Sequence, residues 1–179
     1  MSSKKPVNIG LIGAGRIGSF HGESVQRRLV DAKLVAIADP APGAAAKLAG
    51  TLDVDAAFTD VATMLAQPEL DAVIIATPAR FHTNVLVQAA EAGKHVFCEK
   101  PMALTLEDAD RAIAAAKAAG VSLQVGFNRR WDQASPRVAR PSTRAASARR
   151  NCCGRSSATP VRSAPIRRRC RSGPSSSKP

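Results

Sequence analysis

Residues 7–18 read V-N-I-G-L-I-G-A-G-R-I-G, an apolar run that passes straight into a glycine-rich turn. Val7, Ile9, Leu11 and Ile12 predict a strand, and Ile17, Phe20 and Val25 then recur at roughly helical spacing from Arg16 onward. Between the two, Gly13, Gly15 and Gly18 fit G-x-G-x-x-G. In a strand–turn–helix context each glycine has its own mechanical task. The first permits the tight turn, the second lets a pyrophosphate approach bare backbone, and the third lets the helix pack closely on the strand. The pyrophosphate would rest on the unpaired N–H groups and positive dipole end of the helix that Arg16 and Ile17 begin. Short glycine patterns recur by chance, so it is the flanking strand and helix that make this one a dinucleotide site.

Such a site calls for an acid about 20 residues further on, at the end of the next strand. Residues 33–39, K-L-V-A-I-A-D, supply one in Asp39. A carboxylate there accepts hydrogen bonds from both ribose hydroxyls and repels a 2′-phosphate. Pro40 and Ala41 follow with no nearby Arg to neutralise that phosphate, so NAD is expected over NADP. Asp39 also suits a helix N-cap ahead of Pro40-Ala41-Pro42, and the two roles are compatible.

Helices and strands continue to alternate. A short helix is expected over 41–49, a weak strand over 54–58, and a helix capped by Asp60 through Leu65. Residues 71–76, D-A-V-I-I-A, form a continuous apolar strand of the kind buried on both faces of a parallel sheet. A helix over 81–92 closed by Gly93 and a strand over 94–98 follow. Thr105 with Asp108 marks the start of a helix running to Ala119 and closed by Gly120, and 122–127 is the last strand. Strands joined by helical crossovers predict an α/β fold, a doubly wound parallel sheet of the Rossmann type. Its ligand crevice lies at the carboxyl ends of the strands.

Those ends collect the polar residues: Gly13 to Arg16, Asp39, Thr77-Pro78, Glu99-Lys100-Pro101 and Asn128-Arg129-Arg130. Lys100 is the reactive candidate. An ammonium crowded by a nicotinamide cation and apolar walls loses affinity for its proton, and it can donate a hydrogen bond to a substrate hydroxyl. The plainer reading is a Glu99–Lys100 ion pair at a strand end. His82 either reaches the nicotinamide or is a polar residue in the first turn of its helix. His21 and His95 are expected to be structural.

Charge divides the chain sharply. It carries 26 Lys and Arg against 14 Asp and Glu, a formal net charge of +12. Residues 1–135 hold 14 basic and 14 acidic side chains, whereas 136–179 hold 12 basic residues and no acid. Read at face value, that tail is a disordered Arg-rich arm able to bind nucleic acid or acidic lipid. No aromatic residue interleaves its arginines, however, and Cys152, Cys153 and Cys170 lack zinc spacing with no His nearby, so neither nucleic acid nor a metal is expected. Arg, Ser, Pro, Ala and Cys are also what GC-rich coding DNA yields out of frame. Shifted by one base, residues 140–153 can read A-I-D-A-G-G-V-G-T-P-Q-L-L, which has the turn and apolar character the visible tail lacks. The domain boundary is therefore expected at 132, with 133–179 a low-complexity Arg/Ser/Pro tail read out of frame from about Gln133 to Ser135.

Met1 to Pro6 lead into the first strand with no apolar stretch of a signal peptide, and no run approaches a membrane span. Cys98, alone in the domain and within an apolar strand, reads as a buried thiol in a reducing compartment. A cytoplasmic location follows as the expectation.

The stretches G-L-I-G-A-G-R-I-G-S-F-H (10–21), A-D-P (38–40), A-T-P (76–78), H-V-F-C-E-K-P (95–101) and V-G-F-N-R-R-W-D (125–132) resemble the Gfo/Idh/MocA oxidoreductases, most of all the inositol-oxidising members. That resemblance implies nicotinamide-dependent oxidation of a secondary alcohol on inositol or a related polyol or sugar. By the same resemblance Asp39 holds the adenosine ribose, Lys100 contacts both substrate hydroxyl and cofactor, Arg130 or its neighbour Arg129 faces the substrate, and the bond before Pro101 is cis. Gly13, Gly15, Arg16, Ile17, Gly18, Thr77, Pro78, His82 and Glu99 are the further residues expected to line the cofactor. The family's second domain, which supplies an Asp and a His and the surface for homo-oligomers, has no counterpart after Asp132. Three readings follow: a polyol dehydrogenase whose cofactor domain alone is seen, a non-catalytic NAD-binding remnant, and a basic-tailed nucleic-acid binder. The chain by itself is expected to be inactive.

Overall fold

The glycine-rich turn leaves the end of strand β1 (Val7–Ile12), which pairs in parallel with β2 (Ala32–Ala38) on one side and β4 (Ala72–Ile75) on the other. β3 (Ala56–Phe58) extends the sheet beyond β2, and β5 (His95–Glu99) and β6 (Leu123–Gly126) extend it beyond β4. This computed structural model describes residues 5–128. All pairings are parallel and the strand order is β3-β2-β1-β4-β5-β6, the doubly wound arrangement expected. The order reverses between β1 and β4, so the crevice opens where the glycine turn meets the end of β4.

The crossovers are α1 (Arg16–Arg28), α2 (Ala44–Leu52), α3 (Val61–Leu65), α4 (His82–Glu91) and α5 (Leu106–Ala118). Side chains alternate across a strand, so neighbours in β1 serve opposite cores. Leu11 packs with Val25, Leu34, Ile37, Ala49 and Leu52 under α1 and α2. Ile12 packs with Ile75, Met64, Leu86, Cys98 and Ala112 under α3, α4 and α5. Both faces of β4 and of the second half of β1 are therefore buried, which is why Ala72 to Ile75 and Leu11-Ile12 are apolar throughout. On the α1 side, among the described residues, a trough of about 380 Å³ is lined by His21, Val25, Ile74, His95 and Phe97.

Helix starts follow their caps. Asp60 accepts the Thr63 N–H at 2.7 Å and Thr105 accepts the Asp108 N–H at 3.1 Å, as their positions in sequence predict. Gly93 and Gly120 close α4 and α5 with φ of 71° and 68°. The helix expected over 41–49 lies instead at Ala44–Leu52. Pro42 and the left-handed Gly43 (φ 75°) fill a turn that delays its start, and Gly43 rather than Asp39 takes the N-cap position. The helix expected from Phe81 is preceded by a short 3-10 turn, Ala79–Phe81, and starts at His82. No described helix is long and apolar enough to cross a membrane.

Candidate active site

Three strand ends build the site, and the glycine turn after β1 is its floor. The Gly13 N–H donates to the Ala38 carbonyl at 2.8 Å and the Ala76 N–H donates to the Ile12 carbonyl at 2.8 Å, so the turn is tied to β2 and to β4 at once. Gly13 has φ 101°, and a Cβ there would lie 2.8 Å from the Ala76 carbonyl atoms. A Cβ on Gly18 would overlap the Gly13 carbonyl oxygen. These two glycines let helix, turn and β4 close on one another. Gly15 is different: it is the N-cap of α1, has no side-chain cap, and nothing lies within 4 Å of where its Cβ would be. Bare backbone at a helix N-terminus facing open space is what a pyrophosphate requires. Arg16 and the 42% exposed Ile17 flank it on the first turn of α1.

Asp39 stands one residue past β2. Its Oδ2 accepts the Ala14 N–H at 2.7 Å and its Oδ1 accepts the Ala41 N–H at 2.8 Å. The second bond closes a local turn over Pro40, in place of the helix cap. The first reaches across strands and pins the middle of the glycine turn. Each carboxylate oxygen keeps a lone pair for a ribose hydroxyl, because an ionised carboxylate offers about four acceptor sites.

β4 and β5 contribute the opposite wall. The Thr77 Oγ1 is buried and has no hydrogen-bond partner among the described residues. An orphaned hydroxyl beside the glycine turn is an unmet polar group that a cofactor oxygen would satisfy. Pro78 follows it, exposed. The Lys100–Pro101 bond is cis, as the family resemblance implies, and the Lys100 side chain is exposed at the end of β5. Glu99 holds this turn from below. Its Oε2 accepts the Lys100 N–H at 3.1 Å and its Oε1 lies 2.8 Å from His21 Nε2. The carboxylate thus serves the Lys100 backbone, and no ion pair to the Lys100 ammonium forms among the described residues.

His82 is 2% exposed, with Nδ1 2.6 Å from the Pro101 carbonyl oxygen and Nε2 2.8 Å from that of Thr77. Both ring nitrogens thus meet backbone rather than the crevice. His95, exposed at the start of β5, accepts the Ser122 N–H at its Nδ1 at 3.0 Å. Cys98 lies under the same edge, where burial first and the Glu99 charge second push its thiol up to about 12. It is an un-ionised core residue.

Gly13, Gly15, Arg16, Ile17, Gly18, Asp39, Thr77, Pro78, Glu99 and Lys100 all stand at the carboxyl ends of the strands or the first turn of α1. Arg129, Arg130 and residues 133–179 lie outside the described residues. The residues present fit an NAD molecule: an uncapped N-terminus for its diphosphate, a carboxylate for a ribose on the β2 side and an unpaired hydroxyl on the β4 side. What sequence reasoning missed is His21, which anchors Glu99 across 78 residues and stacks edge-on against Phe97 at 5.5 Å. Its place after Phe20 on α1 gives no hint of β5, because that pairing exists only once the sheet has formed.

Comparison with known proteins agrees with this geometry. The family described as oxidoreductase family, NAD-binding Rossmann fold (Gfo/Idh/MocA) matches residues 7–127. The scyllo-inositol 2-dehydrogenase (NAD(+)) of Bacillus subtilis is 40% identical over 128 residues, which is 72% of this chain and 37% of the relative. The myo-inositol 2-dehydrogenase of Thermotoga maritima is 40% identical over 71% of this chain and 38% of its own length. Among solved structures, scyllo-inositol dehydrogenase from Lactobacillus casei with bound NAD(H) and scyllo-inositol superposes with a TM-score of 0.68 at 35% identity. That match covers 72% of this chain and 38% of the other. The chain spans well under half the length of the curated relatives it matches.

Proposed function

This chain belongs to the Gfo/Idh/MocA oxidoreductases and carries their NAD-binding Rossmann domain, and from that premise we propose that it is the cofactor half of a dehydrogenase that oxidises a ring secondary alcohol of inositol or a related polyol or sugar. The observation that carries the reading is the single edge on which Gly15, Asp39, the orphaned Thr77 hydroxyl and Lys100 meet. The relatives' own names, scyllo- and myo-inositol 2-dehydrogenase, support inositol as the substrate class.

NAD supplies the hydride acceptor when bound. The chain's own residues bind and orient. The backbone at Gly15 receives the diphosphate, and Asp39 accepts from the adenosine ribose hydroxyls while repelling a 2′-phosphate, which makes NAD the preferred cofactor. Lys100, on a turn held by Glu99, donates to the substrate hydroxyl and fixes the carbinol over the cofactor. Arg130, by the family resemblance, adds a second substrate contact.

Proton removal is the step these residues do not provide. The chain has three histidines, and His21, His82 and His95 are all committed to Glu99, to two carbonyls and to Ser122. None is placed to accept the alcohol proton. A missing general base costs about 10²–10⁴-fold, and lost positioning costs more. The 179-residue chain is therefore expected to bind NAD(H) and turn over myo- or scyllo-inositol negligibly. NADH absorbance on this chain, and on one extended by the downstream reading frame, tests the reading. Activity recovered on extension and abolished by Lys100→Met supports it, whereas vigorous turnover by the short chain overturns the assignment of roles.

A further inference from the structure

We propose that His82 is the positioning residue of the Lys100 turn, a clamp whose two ring nitrogens meet two backbone carbonyls and that sets the spacing between the Thr77 and Lys100 sides of the crevice. This deepens the functional reading above and rests on it for what is being positioned.

His82 faces two carbonyl oxygens, of Pro101 at 2.6 Å and of Thr77 at 2.8 Å, and a carbonyl only accepts. Both contacts are short and the ring is 2% exposed, so His82 is wedged between the two carbonyls with no water to take its place.

The clamp joins two turns that the sheet alone leaves separate. The Thr77 turn carries the orphaned hydroxyl beside the glycine floor, and the Pro101 carbonyl belongs to the turn that carries Lys100. At its other end that turn is held by Glu99, which accepts the Lys100 N–H and is itself fixed by His21. Lys100 thus sits between two anchors, one on its own amide and one on the next carbonyl. Removing His82 frees the second anchor while leaving Asp39 and the glycine turn untouched.

The test uses the 179-residue chain, labelled with nitrogen-15, with the His82→Phe and His82→Gln variants. The Lys100 amide is expected to shift in His82→Phe, and an unmoved Lys100 amide overturns the clamp. In ligand titrations His82→Phe is expected to bind NADH about tenfold more weakly while ADP, which lacks the nicotinamide end, stays within about twofold. His82→Gln, whose amide nitrogen carries two N–H groups, is expected to fall between. Equal loss for both ligands, or no loss, overturns the positioning role. Should the parent bind neither ligand, the functional reading has failed, and the shift of the Lys100 amide in His82→Phe still decides the clamp.

Discussion

Replacing Asp39 with Ala is expected to damage the dinucleotide site twice, because the carboxylate is part of the floor as well as a ribose acceptor. In the fold it accepts from the Ala14 N–H at 2.7 Å and from the Ala41 N–H at 2.8 Å. Hydrogen bonds to a charged group contribute about 1.5–3 kcal/mol each. The Ala41 bond is exposed and counts for little, so the part-buried Ala14 bond sets the scale, about 1.5 kcal/mol or tenfold in affinity. Loss of the ribose contacts adds to this, and NAD(H) binding is expected to weaken by on the order of 10–100-fold. For NADP(H) the loosened floor and the removed repulsion oppose each other, so the preference narrows mainly through the loss on the NAD(H) side. Calorimetry with both cofactors on the parent, Asp39→Ala and Asp39→Asn measures this, with amide exchange at Ala14 read in parallel. Asn keeps one oxygen for Ala14 and is expected to protect that amide better than Ala. A parent chain that binds NADP(H) as tightly as NAD(H) refutes the ribose role. An Ala14 amide equally protected in Asp39→Ala refutes the floor.

Gly15→Ala and Gly13→Ala are expected to separate binding from folding. The first meets nothing within 4 Å, so the thermal midpoint holds while NAD affinity falls, whereas the second adds strain at φ 101° and meets the Ala76 main chain, costing about 2 kcal/mol or more of stability. Differential scanning with and without NAD distinguishes them. Thr105→Ala removes the cap on the Asp108 N–H and is expected to lower stability by about 1 kcal/mol in urea titrations, with cofactor affinity unchanged. Cys98 is raised from 9.0 to about 12, so its contribution is intact below 9, where the unfolded thiol is still protonated. It is lost as pH climbs through that window, by at most about 1.4 kcal/mol per unit. Stability of the parent minus that of Cys98→Ala, measured against pH, is expected to show this slope, and a flat difference rejects it.

Much of the fold was legible because its determinants are local. Val7 to Gly18 carry strand, turn and helix within 12 residues, and Asp60, Thr105, Gly93 and Gly120 mark helix ends through bonds or backbone angles reached within a turn. The start of α2 was misplaced because Ala-rich sequence is helical wherever it begins. Only the left-handed Gly43 decided where that was. In the site, residue types named the strand ends correctly, yet their wiring was hidden. That Asp39 bonds Ala14, that Glu99 turns to His21 rather than to the Lys100 ammonium, and that His82 spans two carbonyls all depend on residues 5 to 78 positions apart that only the assembled sheet and helices bring together. A helical His reads alike whether it faces a ligand or a carbonyl.

The wiring also explains how the edge divides its labour. Groups that a ligand would meet are left open at the Gly15 backbone and the exposed Lys100 side chain, and the buried Thr77 hydroxyl is left unpaired among the described residues. Each histidine has a ring nitrogen bonded to protein and the one described thiol is held un-ionised. An edge built this way binds and orients, with the Lys100 side chain left exposed. In the proposed function the proton acceptor for an alcohol would come from protein outside these residues, and the open Lys100 side chain marks where the two would meet. Binding of NAD(H) without turnover and turnover restored by added protein are therefore two outcomes of one arrangement. Full dinucleotide affinity in the short chain is what separates it from a misfolded fragment.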